Sequence, residues 1–257
     1  MKRMFVMALC LLLSVPALAL ARGESIGMSQ VIRAIEDPFK ADAPADIAIG
    51  DFEADFFQES RIASLDRVQR GRGRVMVKFD HTRGDRVPKA LFRWEYDQPT
   101  TQEIVSDGRT IWVYLPDNRQ VIQSDIELAA QSRPDDPVTF LTGLGNLSRD
   151  FLIGWAEPNQ DIEGNYVLEL RPRRVSPMIQ RLLLVVNRDS VIPTGRPATF
   201  GDVFPLLSST VFDPSGNTTI IEFSGARVNR GIPDSLFRFM PPAGVEVIRP
   251  SGNGMGY

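Results

Sequence analysis

The chain has 257 residues, 43% of them hydrophobic, with 29 Lys and Arg against 32 Asp and Glu for a formal charge of -3. That balance supplies no basic surface for neutralising phosphates, so a nucleic-acid partner is not expected. One histidine and one cysteine leave little for His- or thiol-based catalysis or for a Cys-ligated metal, and neither metal nor other cofactor is expected.

Lys2 and Arg3 precede an apolar run from Met4 to Leu13 and then Ala19-Leu20-Ala21, the arrangement of a secretory signal peptide cut after Ala21. Cys10 lies inside the run rather than at the cut, so a lipid-bearing cysteine is not indicated and residues 22–257 carry no thiol. The leader takes two basic residues and no acidic ones with it, which moves the formal charge from -3 to -5. No later stretch reaches the ~20 apolar residues of a membrane span, so a soluble exported chain is expected. Residues 22–250 show no composition shift and no repeat and are expected to form one domain; the Gly-rich 251–257 are expected to be a flexible tail.

Residues 25–41 carry Ile26, Met28, Val31, Ile32, Ile35 and Phe39 at helical spacing, with Ala43-Pro44-Ala45 expected to end the helix. From Asp51 the period becomes two: Phe52, Ala54 and Phe56 share one face, as do Val75, Val77 and Phe79, and then Ala90, Phe92, Trp94 and Tyr96. Arg70, Arg72, Arg74 and Lys78 fall on the opposite, solvated face of their strand. "EIVSDGRTIWVYLPDNRQVIQ" holds two turn signals, Asp107-Gly108 and Pro116-Asp117-Asn118, between three short strands.

Residues 125–150 break the alternation. Pro137, preceded by Asp135 and Asp136 and followed by Val138, Phe140, Leu141, Leu144 and Leu147, reads as one or two short helices inserted into the sheet. Strand patterns resume at 150–156, 165–171, 179–188, 207–213, 218–228 and 236–240, with "DPSGN" at 213–217 as a hairpin turn and 193–206 as a long loop. The predicted fold is mainly β (α+β): a single curved antiparallel sheet of about ten strands that tends to close on itself, its apolar face covered by two helices.

Candidate chemistry is sparse. His81 stands in a polar stretch with no Ser or Cys nucleophile nearby, and no G-x-S-x-G occurs. "GLGN" at 143–146 follows the inserted helix, where a C-cap is the better reading than a dinucleotide loop. The Asp135/Asp136 pair reads as helix-end charge, and Asn146-Leu147-Ser148 and Asn217-Thr218-Thr219 as chance matches to the glycosylation pattern. Abundant inward aromatic and aliphatic surface suits an apolar ligand, although a solid core writes the same alternation.

The order of the motifs is more specific than any one of them. "GRGRVMVKF", "ALFRWEYDQP", "EIVSDGRTIWVYLPDNRQV", "DDPVTFLTGL", "DPSGNTTIIEFSGARVN" and "LFRFMPPAGVEVI", following a signal peptide, resemble the LolA family of periplasmic lipoprotein carriers, from about residue 27 to 248. The resemblance implies an incomplete β-barrel, or β-clam, closed by a helical lid, in a periplasmic monomer without catalytic activity. Its interior would receive the acyl chains of lipoproteins released by an inner-membrane ABC transporter complex and carry them to an outer-membrane acceptor. Phe92 and Trp94 match the aromatic strand of the family, and Val138, Phe140 and Leu141 its lid. With the strand faces above, the expected cavity and lid residues are Phe52, Phe56, Val75, Val77, Phe92, Trp94, Tyr96, Trp112, Val138, Phe140, Leu141 and Leu144. The family pattern of a basic residue and proline before the aromatic strand is altered here by an insertion in "FDHTRGDRVPKALF", where Arg86 is the residue expected to take the lid-latching role that the resemblance implies. Residues 137–148 are expected to move against the aromatic strands.

Three other readings make different demands. A sensor of lipid or mislocalised lipoprotein would need an anchor or an added domain. A hydrolase acting on lipids or glycans would need a nucleophile or an acid/base pair. An adhesion or structural module would need a solid core.

Overall fold

A computed structural model describes residues 26–80, 89–125, 143–177, 179–191 and 203–249. Helix α1 spans Met28–Glu36, and its Val31 and Ile35, four apart on one side, are fully buried. The helix stops well before Ala43-Pro44-Ala45. Pro38 has no N–H to continue the ladder, and the chain tightens into a 3-10 turn over Asp37–Phe39 that buries Phe39.

The strands are β1 (Asp51–Ile62), β2 (Arg67–Asp80), β3 (Lys89–Gln98), β4 (Gln102–Ser106), β5 (Thr110–Leu115), β6 (Gln120–Asp125), β7 (Phe151–Gln160), β8 (Tyr166–Pro172), β9 (Arg181–Val186), β10 (Leu206–Phe212), β11 (Thr218–Val228) and β12 (Glu246–Ile248). They form one open, curved twelve-stranded sheet in the order β12-β6-β5-β4-β3-β2-β1-β11-β10-β9-β8-β7. Neighbours are antiparallel except β12 and β6, which run parallel. The order places β1 beside β11, so strands distant in sequence meet at the centre of the sheet.

Turn chemistry fixes the hairpins. Asp107 accepts the N–H groups of Arg109 and Thr110 at 2.9 and 2.8 Å, while Gly108 takes the left-handed conformation at φ 81°. Two further turns share a pattern, D-x-x-G-N. Asp213 accepts Ser215 N–H, Asn217 N–H and the Asn217 side-chain amide; Asp161 does the same with Glu163 and Asn165. The first of these two turns is the one expected from sequence. Each asparagine also accepts a backbone N–H from a neighbouring loop, Asn217 from Ala63 and Asn165 from Arg188.

The predicted strand at 236–240 is absent. Asp234–Phe237 is a 3-10 turn, entered from the extended Pro233, and it buries Phe237 with Ile232 against Met76 on the outer face of the sheet. The chain then returns to add β12 beside β6, the strand that the sequence pattern did not indicate. The departure of this segment from β11 is held by Asp51, whose buried carboxylate accepts N–H groups from Arg230, Gly231 and Ile232 at 2.7, 2.9 and 3.2 Å. Farther along, Arg93 pairs with Glu95 and Glu103 and donates to Leu236 O. Both faces of the strands around β3 to β5 are therefore covered.

Of the inserted helical region, the described part is a 3-10 turn over Leu144–Asn146 running into a short helix α2 (Leu147–Asp150). Leu144, Gly145 and Asn146 of "GLGN" form this 3-10 turn, and the helix expected before them lies outside the described residues. The expected lid positions Val138, Phe140 and Leu141 and the proposed latch Arg86 lie outside the described residues, as do His81, Asp135, Asp136, Pro137 and the leader.

Candidate functional site: an apolar inner face with a polar margin

Alternation in β1, β2 and β3 brings three predicted rows together in register. Phe52 pairs with Val77 and Val77 with Phe92; Ala54 pairs with Val75 and Val75 with Trp94. Phe52, Phe56, Val75, Val77, Phe92 and Trp94 are all buried in one apolar cluster, and Tyr96 packs against it half-buried. Gly73 lies between Phe56 and Tyr96, and Gly71 lies beside the Tyr96 ring. With no side chain between them, rings of β1 and β3 meet across β2: Phe56 to Trp94 at 4.5 Å and Phe56 to Tyr96 at 4.9 Å between centroids.

Trp112 is not on this face. Its neighbours Ile111 and Val113 enter the inner cluster, so the pleat turns Trp112 outward, half-buried, where its ring lies 6.3 Å from that of Phe239. Tyr114 shares that side at 5.8 Å from Phe239. In "TIWVYL" both alternating sets are apolar, so periodicity alone does not assign the faces.

The inner face also holds residues beyond the expected set. Phe223, opposite Phe56, was readable from its alternation with Ile221 in β11. Phe204, in the loop expected over 193–206, is buried with its ring 4.3 Å from Phe52. A lone phenylalanine between prolines and glycines gives no periodic signal. Leu168, Leu170, Leu182 and Leu184 extend the cluster through β8 and β9.

The cover consists of Val31 and Ile35 of α1, Phe39, and Leu144 and Leu147, all essentially buried. A polar contact joins its two halves. The Glu36 carboxylate, buried at the end of α1, accepts the backbone N–H of Ser148 and has the Lys40 ammonium at 3.9 Å.

Toward the other end of β1 and β3 the side chains of this face become polar. Gln58 and Ser60 continue the inward row of β1, Gln102 pairs with Tyr96, and Thr219 pairs with Ser60. Tyr96 Oη donates to Gln58 Oε1 at 2.7 Å, Gln58 Nε2 to Ser60 Oγ at 3.2 Å, and Ser60 Oγ lies 3.2 Å from Thr219 Oγ1. All of these are half-buried. Amides, hydroxyls and one phenol can orient a polar group.

Shifted ionisations lie elsewhere. Hydrogen bonds from Arg171 and Arg181 hold the Glu169 carboxyl below its usual range against the opposing effect of burial. Burial works against the Asp161 charge, but the donors of its turn outweigh it and lower the pKa. The hydrogen-bonded Asp150 carboxylate raises Arg149. Among the described residues no three His, Cys, Asp or Glu side chains come together as a metal site.

The family model described as outer membrane lipoprotein carrier protein LolA matches residues 49–195, more than half of the chain. The chain belongs to the LolA family. A protein named outer-membrane lipoprotein carrier protein from Nitrosospira multiformis is 32% identical over 157 residues, which cover 61% of this chain and 66% of the relative, just under two thirds. The protein of that name from Alcanivorax borkumensis is 31% identical over 68% of this chain and 72% of its own length. The one from Bordetella avium is 25% identical over 94% and 95% respectively. Among solved structures, a LolA superfamily protein from Nitrosomonas europaea aligns with a TM-score of 0.38 at 17% identity, covering 84% of this chain and 99% of that one. The LolA match contains β1 to β9 and with them every predicted inner-face residue; α1 and β10 to β12 lie outside it.

Proposed function

We propose that this LolA-family chain is a periplasmic carrier that holds the acyl chains of lipoproteins against the inner face of its sheet and conveys them to the outer membrane. The observation that carries this reading is the continuous aromatic and aliphatic inner face of β1 to β3 and β8 to β11 beneath a cover of few elements. Such a surface offers acyl chains about 25 cal/mol for each Å² of apolar area removed from water. Export follows from the leader, and the donor would be an energy-driven inner-membrane complex and the acceptor an outer-membrane protein. The binding step uses no catalytic group: the polar margin positions a headgroup and the apolar face takes the chains.

Native mass spectrometry of the purified protein incubated with a triacylated lipopeptide tests this, with Phe92→Glu and Leu144→Glu beside the wild type and folding followed by circular dichroism. Adducts on the wild type, diminished in folded variants, are expected. A wild type that takes up no lipopeptide overturns the proposal.

A further inference from the structure

Within β1 to β3 the chemistry of the inner face changes in one direction along the strands, while Ile221, Leu184 and Leu182 keep the rows that continue from Gln58 and Ser60 into β11 and β9 apolar. Phe52, Phe79 and Phe92 form its apolar end, with Phe39 reaching Phe79 at 5.2 Å. Phe56, Trp94 and Phe223 follow, and beyond them come Gln58, Tyr96 and Ser60. Trp94 stands on the border, one inward step from Tyr96 and fully buried. Among the described residues, its Nε1 is the buried side-chain nitrogen or oxygen with no hydrogen-bond partner. Leaving such a donor unpaired costs roughly 1–3 kcal/mol, and contact with a neighbouring ring such as Phe56 replaces only part of a hydrogen bond.

We propose that Trp94 Nε1–H is the donor for the ester carbonyl of a bound acyl chain. This rests on the carrier reading and names the subsite within it. An indole N–H donates and never accepts, whereas an acyl ester placed among hydrocarbon offers only acceptors, so the two groups match. The position fits as well: methylenes would lie toward Phe52 and Phe92, and the glycerol-bearing head toward Gln58, Tyr96 and Ser60. The carbonyl is the one polar group of the chain that must cross the border between these regions. The unpaired N–H thus fixes how deep a chain enters.

Three ligands test the inference on the purified protein: an S-diacylglyceryl-cysteine peptide with two palmitoyl esters, its analogue with two hexadecyl ethers, and dipalmitoyl phosphatidylglycerol. One carbonyl hydrogen bond predicts that the wild type binds the diester peptide roughly 3- to 10-fold more tightly than the diether, and that Trp94→Phe binds the two alike. The indole N–H resonance of Trp94 should shift with the diester and stay in place with the diether. If Trp94→Phe does not fold, Trp112→Phe and Trp155→Phe assign that resonance by elimination and the wild-type comparison stands. Equal wild-type affinity for diester and diether overturns the carbonyl subsite while leaving the carrier reading intact, as does a Trp94→Phe protein that keeps the ester preference. Binding of none of the three overturns both. Where the resonance shifts with an ester ligand, the tighter of the peptide and the phospholipid identifies the source of the acyl ester.

Discussion

At the scale of single residues, the inner face depends as much on missing side chains as on large ones. A Cβ built on Gly73 would lie 1.8 Å from the Glu95 carbonyl oxygen, a backbone atom that cannot swing away. Gly71 is milder, with its nearest contacts at 3.2 Å on the Tyr96 ring. Gly73→Ala should therefore cost at least the 1–3 kcal/mol typical of overpacking, and Gly71→Ala clearly less; urea unfolding of both variants checks the ranking. Equal costs would mean that the β2–β3 pairing relaxes around the added methyl. Asp51 makes the opposite kind of contribution. Asp51→Ala would strand N–H groups of Arg230, Gly231 and Ile232, and a loss of roughly 2–3 kcal/mol is expected, with faster amide exchange confined at first to residues 230–240.

At the scale of elements, what the sequence disclosed follows the range of the interaction that decides each feature. The facing of β1, β2 and β3 was legible because Phe52, Val77 and Phe92 belong to period-two rows with charged neighbours, Asp51 and Glu53, Lys78 and Arg93, a local pattern that Met76 and Leu91 on the outer face do not erase. Trp112 was not, because its side of β5 is buried by Phe239 from a remote segment. "LFRFM" alternates like a strand, yet Phe237 and Phe239 reach the outer face from a 3-10 turn and the chain after it. The β7–β8 turn is legible in sequence as well, since "DIEGN" repeats the chemistry of "DPSGN" with Gly164 and Gly216 at φ 83° and 84°. The same turn has a pH signature. The Asp161 carboxyl is lowered in the folded chain, so its contribution is complete above its unfolded value near 3.9 and fades as the pH falls through the lower folded value. Asp161→Asn should therefore destabilise the protein at neutral pH and converge on the wild type in acid, below both values. Thermal unfolding from pH 7 down to pH 2 measures this, and a constant difference across the range would exclude the linkage.

At the scale of the whole molecule, the proposed carrier role requires binding strong enough to extract cargo and weak enough to release it. Each buried methylene contributes ~0.8 kcal/mol, so full burial of several long chains would approach the ceiling of non-covalent affinity, and hand-over would stall. The inner face is already occupied by its cover: Val31, Ile35, Phe39, Leu144 and Leu147 are packed there, joined by the Glu36 to Ser148 contact. A chain that displaces them must offset ~1.5–3 kcal/mol for each large side chain it exposes. The apparent gain per methylene should then fall well below the fourfold that ~0.8 kcal/mol represents when lipopeptides with 12-, 14- and 16-carbon chains are titrated. Hydrogen exchange should separate displacement from simple filling. On lipopeptide binding, amides of 28–36 and 144–150 should exchange faster while those of β2 and β3 become more protected. A full fourfold gain per methylene with slower exchange in α1 would mean that the chains enter space the cover already encloses. The opposing cost would then have to come from outside this fold.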